Sequence, residues 1–331
     1  MMIRIGILGA AKIAPKAILQ PAIRRSDCQV VAVAARDGER AKAYAAQHGI
    51  PHVADSYEAL LARDDIDLVY NALPPHRHAD LSIAALKAGK PVLCEKPFAM
   101  NTDEAEAMVA ASAETGLPLM EAFHYRFHPA FLRVLGIVRS GHLGGIVAME
   151  GDFSLTIPYR PGELRHTLEV GGGALMDLGC YPVHMLRTLA GAEPSVVSAE
   201  CHCERPGVDL STHARLNFPG DVPGSVMTSM SETVTRRVMV HVECTEGSVT
   251  YTNPVAPHLG HTIEVRRKGG TTTETVPGET TYDYQLAHVM DVLEHGATPL
   301  TGGADSVANM CLIDAIYRAA GLQPRGMAAA S

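Results

Sequence analysis

Two stretches of the chain hold residue types able to trade protons with a small molecule. The first is Glu95-Lys96-Pro97, which closes the apolar run Pro91–Glu95. A strand there would put Lys96 at the carboxyl edge of a sheet, where ligands of open α/β folds bind. Taken alone, a lysine after a strand is a surface charge. The second is the run from Gly171 to His184, where three glycines feed a helical segment. At helical spacing Asp177 and Tyr181 share one face, and His184 lies three residues beyond Tyr181, close to it.

A third stretch concerns a ligand rather than a reaction. The strand pattern Ile3–Leu8 ends at Gly9-Ala10-Ala11-Lys12-Ile13-Ala14, and a helix follows. Backbone N–H groups at such a helix start, with the positive end of its dipole, suit a pyrophosphate. Against the pattern GxGxxG, Ala11 and Ala14 replace the second and third glycines, so the loop by itself is a weak signal. The next strand pattern, Gln29–Ala35, ends without the Asp or Glu that would hold the ribose of NAD; Arg36 follows instead. An arginine fork suits a 2′-phosphate, which favours NADP. The alternative is NAD, with Arg36 solvated and Asp37 taking the ribose.

These residues need a scaffold, and the first third of the chain supplies one. Apolar runs at Ile3–Leu8, Gln29–Ala35, Asp67–Asn71, Pro91–Glu95 and Leu117–Ala122 alternate with helical patterns at Glu39–Gln47, His78–Lys87 and Asn101–Thr115. That alternation predicts a doubly wound parallel sheet of Rossmann type over residues 1–122. After residue 122 the texture changes to segments rich in Val, Thr, Ser and Glu: Gly145–Ile157, Ser195–His202, Ala214–Asn217, Gly224–Glu232, Arg237–Glu243 and His261–Arg267. They predict a large, mainly antiparallel open sheet in an α+β domain over residues 123–331. Helices are expected at Leu178–Ala190, Tyr284–His295 and Ser306–Ala320, followed by a loose tail, Met327–Ser331.

Composition narrows the class. With 331 residues, 47% apolar and 19% charged, the chain is long enough for two folded domains. A net charge of −8 and the lack of any basic block argue against nucleic acid as partner. Met1-Met2-Ile3-Arg4 runs straight into a strand, and no apolar stretch is long enough to span a membrane, so a cytoplasmic location is expected. Seven cysteines are an odd number at low density, which fits free thiols in a reducing compartment. No metal site is expected: Cys201-Xaa-Cys203 lacks knuckle spacing, and His76, His78 and His202 form no ligand motif.

Taken together, the motifs resemble the glucose–fructose oxidoreductase/inositol dehydrogenase (Gfo/Idh/MocA) family. The resemblance runs through Gly9–Ala14, Asn71 with Pro74 and His78, Glu95-Lys96-Pro97, Glu121-Ala122 with Tyr125-Arg126-Phe127-His128-Pro129, and Gly171–Tyr181. It implies that Lys96 is catalytic, with Asp177 and Tyr181 beside it. Many members carry His four residues after the aspartate; Tyr181 resembles the dihydrodiol dehydrogenase, xylose dehydrogenase and glucose–fructose oxidoreductase branches. Gly-Ile-Leu-Gly-Ala-Ala and Ala35-Arg36 also look like the dihydrodiol/xylose branch, which strengthens NADP.

The implied reaction is NADP-linked oxidation of a sugar, polyol or vicinal diol, or reduction of the matching carbonyl. A free Tyr, with a pKa of about 10, is a poor base at neutral pH, and a nearby ammonium favours the phenolate. Tyr181 is therefore expected to exchange the proton, with Lys96 lowering its pKa and Asp177 orienting substrate or Lys96. A version with Lys96 itself as acid/base stays open. Gly9, Ala10, Ala11, Lys12, Ile13, Arg36, Asn71, Pro74, His78, Glu95 and Lys96 are expected around the cofactor, and Arg126, His128, Arg165 and His184 around the substrate. Capping by His128, an ion pair at Arg165 and packing by His184 are the plainer alternatives. A non-catalytic dinucleotide sensor and a glycosidase using nicotinamide transiently are the competing functions. A homodimer or homotetramer packing through the C-terminal sheet is expected.

Overall fold

The computed structural model describes residues 2–327. Most of the expected tail, residues 328–331, lies outside the described residues. The chain divides into two compact units. One is Met1–Phe123 with Tyr282–Val307; the other is His124–Thr281 with the chain from Ala308 onward.

The first unit holds β1 (Ile3–Leu8), β2 (Cys28–Ala34), β3 (His52–Val53), β4 (Leu68–Asn71), β5 (Val92–Cys94) and β6 (Leu119–Glu121). They form one sheet in the order β3-β2-β1-β4-β5-β6, every pair parallel. This is the Rossmann order, with the chain reversing direction across the sheet between β1 and β4. Helices Gly38–His48, His78–Lys87 and Thr102–Thr115 follow β2, β4 and β5. Asp37 and Asn101 cap two of them by accepting the amides of Arg40 and Glu104. The two-residue edge strand β3 and the helix Tyr57–Leu61 are too short to carry a period, and the sequence pattern did not predict them.

The expected boundary needs one correction: residues 282–307 return to the first unit. Helix Thr281–His295 buries Leu286, Val289, Met290 and Val292 in the same core as Ile3, Ile5 and Ile7 of β1. Thr301 and Ser306 then donate to the backbone carbonyl and the carboxylate of Glu121, each at 2.6 Å. An apolar helix at the end of a chain can serve either core, and only packing decides which.

The second unit is built on an eight-stranded sheet. Its strands are β7 (Ile146–Ser154), β8 (Ser195–His202), β9 (Ser211–Phe218), β10 (Val222–Ser229), β11 (Arg237–Cys244), β12 (Gly247–Thr252), β13 (Ile263–Arg267) and β14 (Gly270–Glu274), ordered β14-β13-β12-β11-β7-β10-β9-β8. All neighbours are antiparallel except β10 and β7. Helix Cys180–Ala190 packs on β7 and β10, so closely that a Cβ on Gly151 would come within 2.7 Å of Pro182. β12 and β14 escaped the pattern because they return through two-residue turns and, in Gly270–Glu274, carry no apolar residue. No helix among the described residues is long and apolar enough to cross a membrane.

Candidate active site

The dinucleotide loop departs from β1 through Gly9, whose φ is +100°; a Cβ there would lie 3.0 Å from Leu73 Cδ2 and 3.3 Å from the Ala72 carbonyl. This is the close turn that the first glycine of the fingerprint supplies. Ala10 is buried, Ala11 and Ile13 are half-buried, and Lys12 is exposed. A wide π-helical turn, Pro15–Leu19, leads into the helix Gln20–Ile23. Helix Gly38–His48 steadies the loop from the side: Arg40 donates to the Ala10 carbonyl at 2.8 Å and Tyr44 to that of Ala11 at 3.1 Å. Burial pushes the Tyr44 phenol up to about 12, so it stays a neutral donor. Ala10, Lys12, Pro15, Arg40, Tyr44 and His48 line a cavity of about 400 Å³. Arg40 and Tyr44 were not legible in sequence, since helix residues thirty positions away carry no loop signal. Arg36 is exposed just past β2, while Asp37 accepts the Arg40 amide at 3.1 Å. Asp37 is thus engaged as a helix cap.

At the carboxyl ends of β4 and β5 the expected residues come together, in roles of support. Asn71 is fully buried; its Nδ2 donates to Ser82 Oγ at 3.0 Å and its Oδ1 accepts the Leu73 amide at 3.3 Å. Pro74 precedes the short turn Pro75–Arg77. His78, also fully buried, sets its two ring nitrogens against the carbonyls of Pro97 at 2.9 Å and Leu73 at 2.7 Å, and burial lowers its pKa. His78 therefore ties the loop after β4 to the loop after β5, while Asn71 braces the first of them. Glu95 accepts the Tyr70 hydroxyl at 2.5 Å and the Lys96 amide at 3.3 Å, and the Lys96–Pro97 bond is cis. Burial, then the Glu95 carboxylate, holds the Tyr70 phenol well above its ordinary pKa. The Lys96 side chain is half-buried.

In the second unit the glycine run ends in a π-helical turn, Leu175–Gly179, that continues as helix Cys180–Ala190. Such turns recur at functional sites because they re-aim side chains. Two of the glycines are closely packed: a Cβ on Gly172 would strike the backbone of Leu164 and Thr167, and one on Gly173 the side chains of Asp209 and Arg325. Tyr181 is 4% exposed, and its hydroxyl meets His124 Nε2 at 2.9 Å. His124 Nδ1 meets Thr281 Oγ1 at 2.7 Å. Phe153 and Tyr125 flank the Tyr181 ring, with centroids 5.5 and 6.0 Å away. Asp177 accepts Arg165 Nε at 2.5 Å, and Arg165 Nη1 also binds Glu163 at 2.9 Å.

The expected substrate residues in this unit prove to have protein partners. Arg165 is the ion-pair partner of Asp177. His184 Nδ1 meets the Tyr125 hydroxyl at 2.5 Å. His128 is the N-cap of helix Pro129–Arg139, accepting the Ala130 amide at 3.1 Å. Arg126 is half-buried, its guanidinium carbon 5.7 Å above the Phe131 ring. His124 and Thr281 were missed, because residues 157 positions apart show no sequence spacing.

Comparison with known proteins places this architecture. Residues 3–123 match the model of an oxidoreductase family with an NAD-binding Rossmann fold, and residues 131–250 match the GFO/IDH/MocA C-terminal domain. D-xylose 1-dehydrogenase (NADP(+)) 2 of Haloferax volcanii is 36% identical over 318 residues, 95% of this chain and 96% of that protein. Trans-1,2-dihydrobenzene-1,2-diol dehydrogenase of Xenopus tropicalis is 36% identical over 220 residues, 65% of each chain. A 3-ketoreductase from Actinomadura kijaniata, solved with NADP and TDP-benzene, has a TM-score of 0.89 at 28% identity, covering 96% of this chain and 98% of its own. With both halves of the architecture matched, and a relative aligned over nearly its full length, the chain belongs to the GFO/IDH/MocA family of oxidoreductases.

Proposed function

We propose that the protein reversibly oxidises a carbinol carbon of a sugar, polyol or vicinal diol with NADP, Tyr181 exchanging the hydroxyl proton with assistance from Lys96. NADP, when bound, supplies or accepts the hydride. The relatives named for xylose oxidation, dihydrodiol oxidation and 3-keto reduction support the substrate class, and NADP is the cofactor that two of their names or descriptions carry. Arg36, exposed past β2 while Asp37 is engaged as a cap, fits a 2′-phosphate better than a bare ribose.

The observation that carries the acid/base assignment is the Tyr181 hydroxyl, buried among rings yet hydrogen-bonded to an imidazole. A phenol in that setting can hand a proton to a developing alkoxide while water is kept away. The Lys96 ammonium would favour the phenolate and hold the substrate oxygen. Asp177, paired with Arg165, orients rather than titrates in this reading. The partly exposed sheet, with Val197 65% and Val147 41% exposed, would pack on a second copy, which light scattering would report as a dimer or tetramer.

The test is initial rates of NADP and NAD reduction across aldoses, polyols and diols, with Tyr181→Phe in parallel. A rate that requires NADP and falls roughly 10²–10⁴-fold in the variant is expected. Full turnover by Tyr181→Phe would remove the assignment. Binding of NADPH without turnover of any substrate would point to a dinucleotide sensor.

A further inference from the structure

We propose that His124 is a positioning residue and the proton partner of Tyr181, an inference that rests on the reading of Tyr181 as the acid/base group. His124 opens a short turn, His124–Phe127, and is 4% exposed. Its Nε2 lies 2.9 Å from the Tyr181 hydroxyl, and the two rings meet edge to face with centroids 5.7 Å apart. Its Nδ1 lies 2.7 Å from the Thr281 hydroxyl, and Thr281 is fully buried.

A hydroxyl can donate or accept. Thr281 can therefore bond Nδ1 whether His124 is neutral or protonated, and it holds the ring in place through a change of charge. Titratable groups around the pair include Tyr125, next to His124 in the turn, and His184, one turn on from Tyr181 and bonded to Tyr125.

The step balances as follows. In reduction, the substrate carbonyl carbon gains the hydride and its oxygen gains the Tyr181 hydroxyl proton. The phenolate left behind takes Nε2–H from the His124 imidazolium, leaving neutral Tyr181 and neutral His124, and a solvent proton later restores the imidazolium. In oxidation every transfer reverses: neutral His124 takes the Tyr181 hydroxyl proton, the phenolate so formed takes the alcohol proton as the hydride leaves, and the imidazolium then releases its proton to solvent. With ordinary pKa values of about 6.5 for His and 10 for Tyr, the transfer from imidazolium to phenolate runs downhill. The partnership thus brings a phenol into use near neutral pH.

His124→Gln tests this, because an amide keeps a hydrogen bond to the phenol but cannot carry its proton. With the sugar or diol giving the highest rate, the wild type is expected to show an ionisation near neutrality in kcat for oxidation. The variant should lose that inflection, climb steadily with pH, and fall roughly 10–100-fold at pH 7, with KM changed less than about threefold. An unchanged inflection with kcat within about twofold of wild type overturns the proposal.

Thr281→Val provides a second variant: the inflection should shift, and a profile identical to wild type counts against the relay. Independently of turnover, the His124 ring, assigned by its absence in His124→Gln, is followed by NMR through a pH titration. Its midpoint should move by about half a unit or more in Tyr181→Phe, and an unmoved midpoint overturns the coupling. If Tyr181→Phe stops turnover while His124→Gln behaves as wild type, only the proton-partner inference falls. If Tyr181→Phe turns over normally, the acid/base reading itself falls.

Discussion

Arg325 donates from Nη2 to Asp209 at 2.6 Å, and both side chains are buried to within 1% of completely. Arg325 Nε also binds the Gly172 carbonyl at 2.7 Å, while Asp209 accepts the Leu175 amide at 2.8 Å and the Tyr317 hydroxyl at 2.9 Å. One ion pair thereby fastens both the glycine run and the start of the π-helical turn that carries Asp177 and ends one residue before Cys180-Tyr181. Removing one partner leaves a buried charge unanswered, which costs about 3–5 kcal/mol. Arg325→Met is expected to lose that much in urea unfolding; a loss under about 1 kcal/mol would show that the carboxylate is accommodated without it.

Cofactor choice should depend on Arg36. A charge-assisted hydrogen bond to the 2′-phosphate contributes about 1.5–3 kcal/mol, so Arg36→Ala should raise KM for NADP roughly 10–100-fold. KM for NAD should change little. Equal effects on the two cofactors would mean that Arg36 touches something they share.

Gly9→Ala should weaken dinucleotide binding. At φ +100° an alanine is strained by roughly 1–2 kcal/mol, and its Cβ would press on Leu73 and Ala72. Relief requires the loop to move, so Kd for NADPH, followed by fluorescence, should rise severalfold. Unaltered affinity with unaltered melting temperature would show that the turn has room to spare.

His128 should make stability depend on acid. Burial, with His261 nearby, lowers its pKa to about 4, against about 6.5 in the unfolded chain. Between those values the unfolded chain binds the extra proton, so stability held above pH ~6.5 is lost as the pH falls toward 4. His128→Asn keeps an acceptor for the Ala130 amide but does not titrate. Its melting temperature should fall less steeply than that of the wild type over that range, and parallel slopes would remove His128 as the cause.

Legibility in the sequence followed the range of the forces involved. The parallel strands were readable because buried strands are continuous apolar runs, and the helices because Asp37, Asn101, Gly49 and Gly116 mark their ends locally. Helix Pro129–Arg139 is marked in the sequence only by a histidine before a proline, which reads equally as a cap or as a substrate ligand until the fold engages His128 with the Ala130 amide. Similar reasons apply to the site. Lys96 and the Asp177–Tyr181 spacing stand out as local motifs, whereas the choice at Arg165 between a substrate contact and an ion pair depended on the fold, which supplies Asp177 and Glu163 as its partners.

By itself the sequence determined the two kinds of sheet, the dinucleotide turn at Gly9, the arginine after β2 and the motifs holding Lys96, Asp177 and Tyr181. All of these depend on near neighbours along the chain. Only the tertiary structure decided that residues 282–307 complete the first core, that Arg40 and Tyr44 hold the dinucleotide loop, and that Tyr181 meets His124, which Thr281 in turn holds. Those relationships join residues far apart in sequence, and they exist because burial forces each polar group to find a partner wherever the fold brings one within reach.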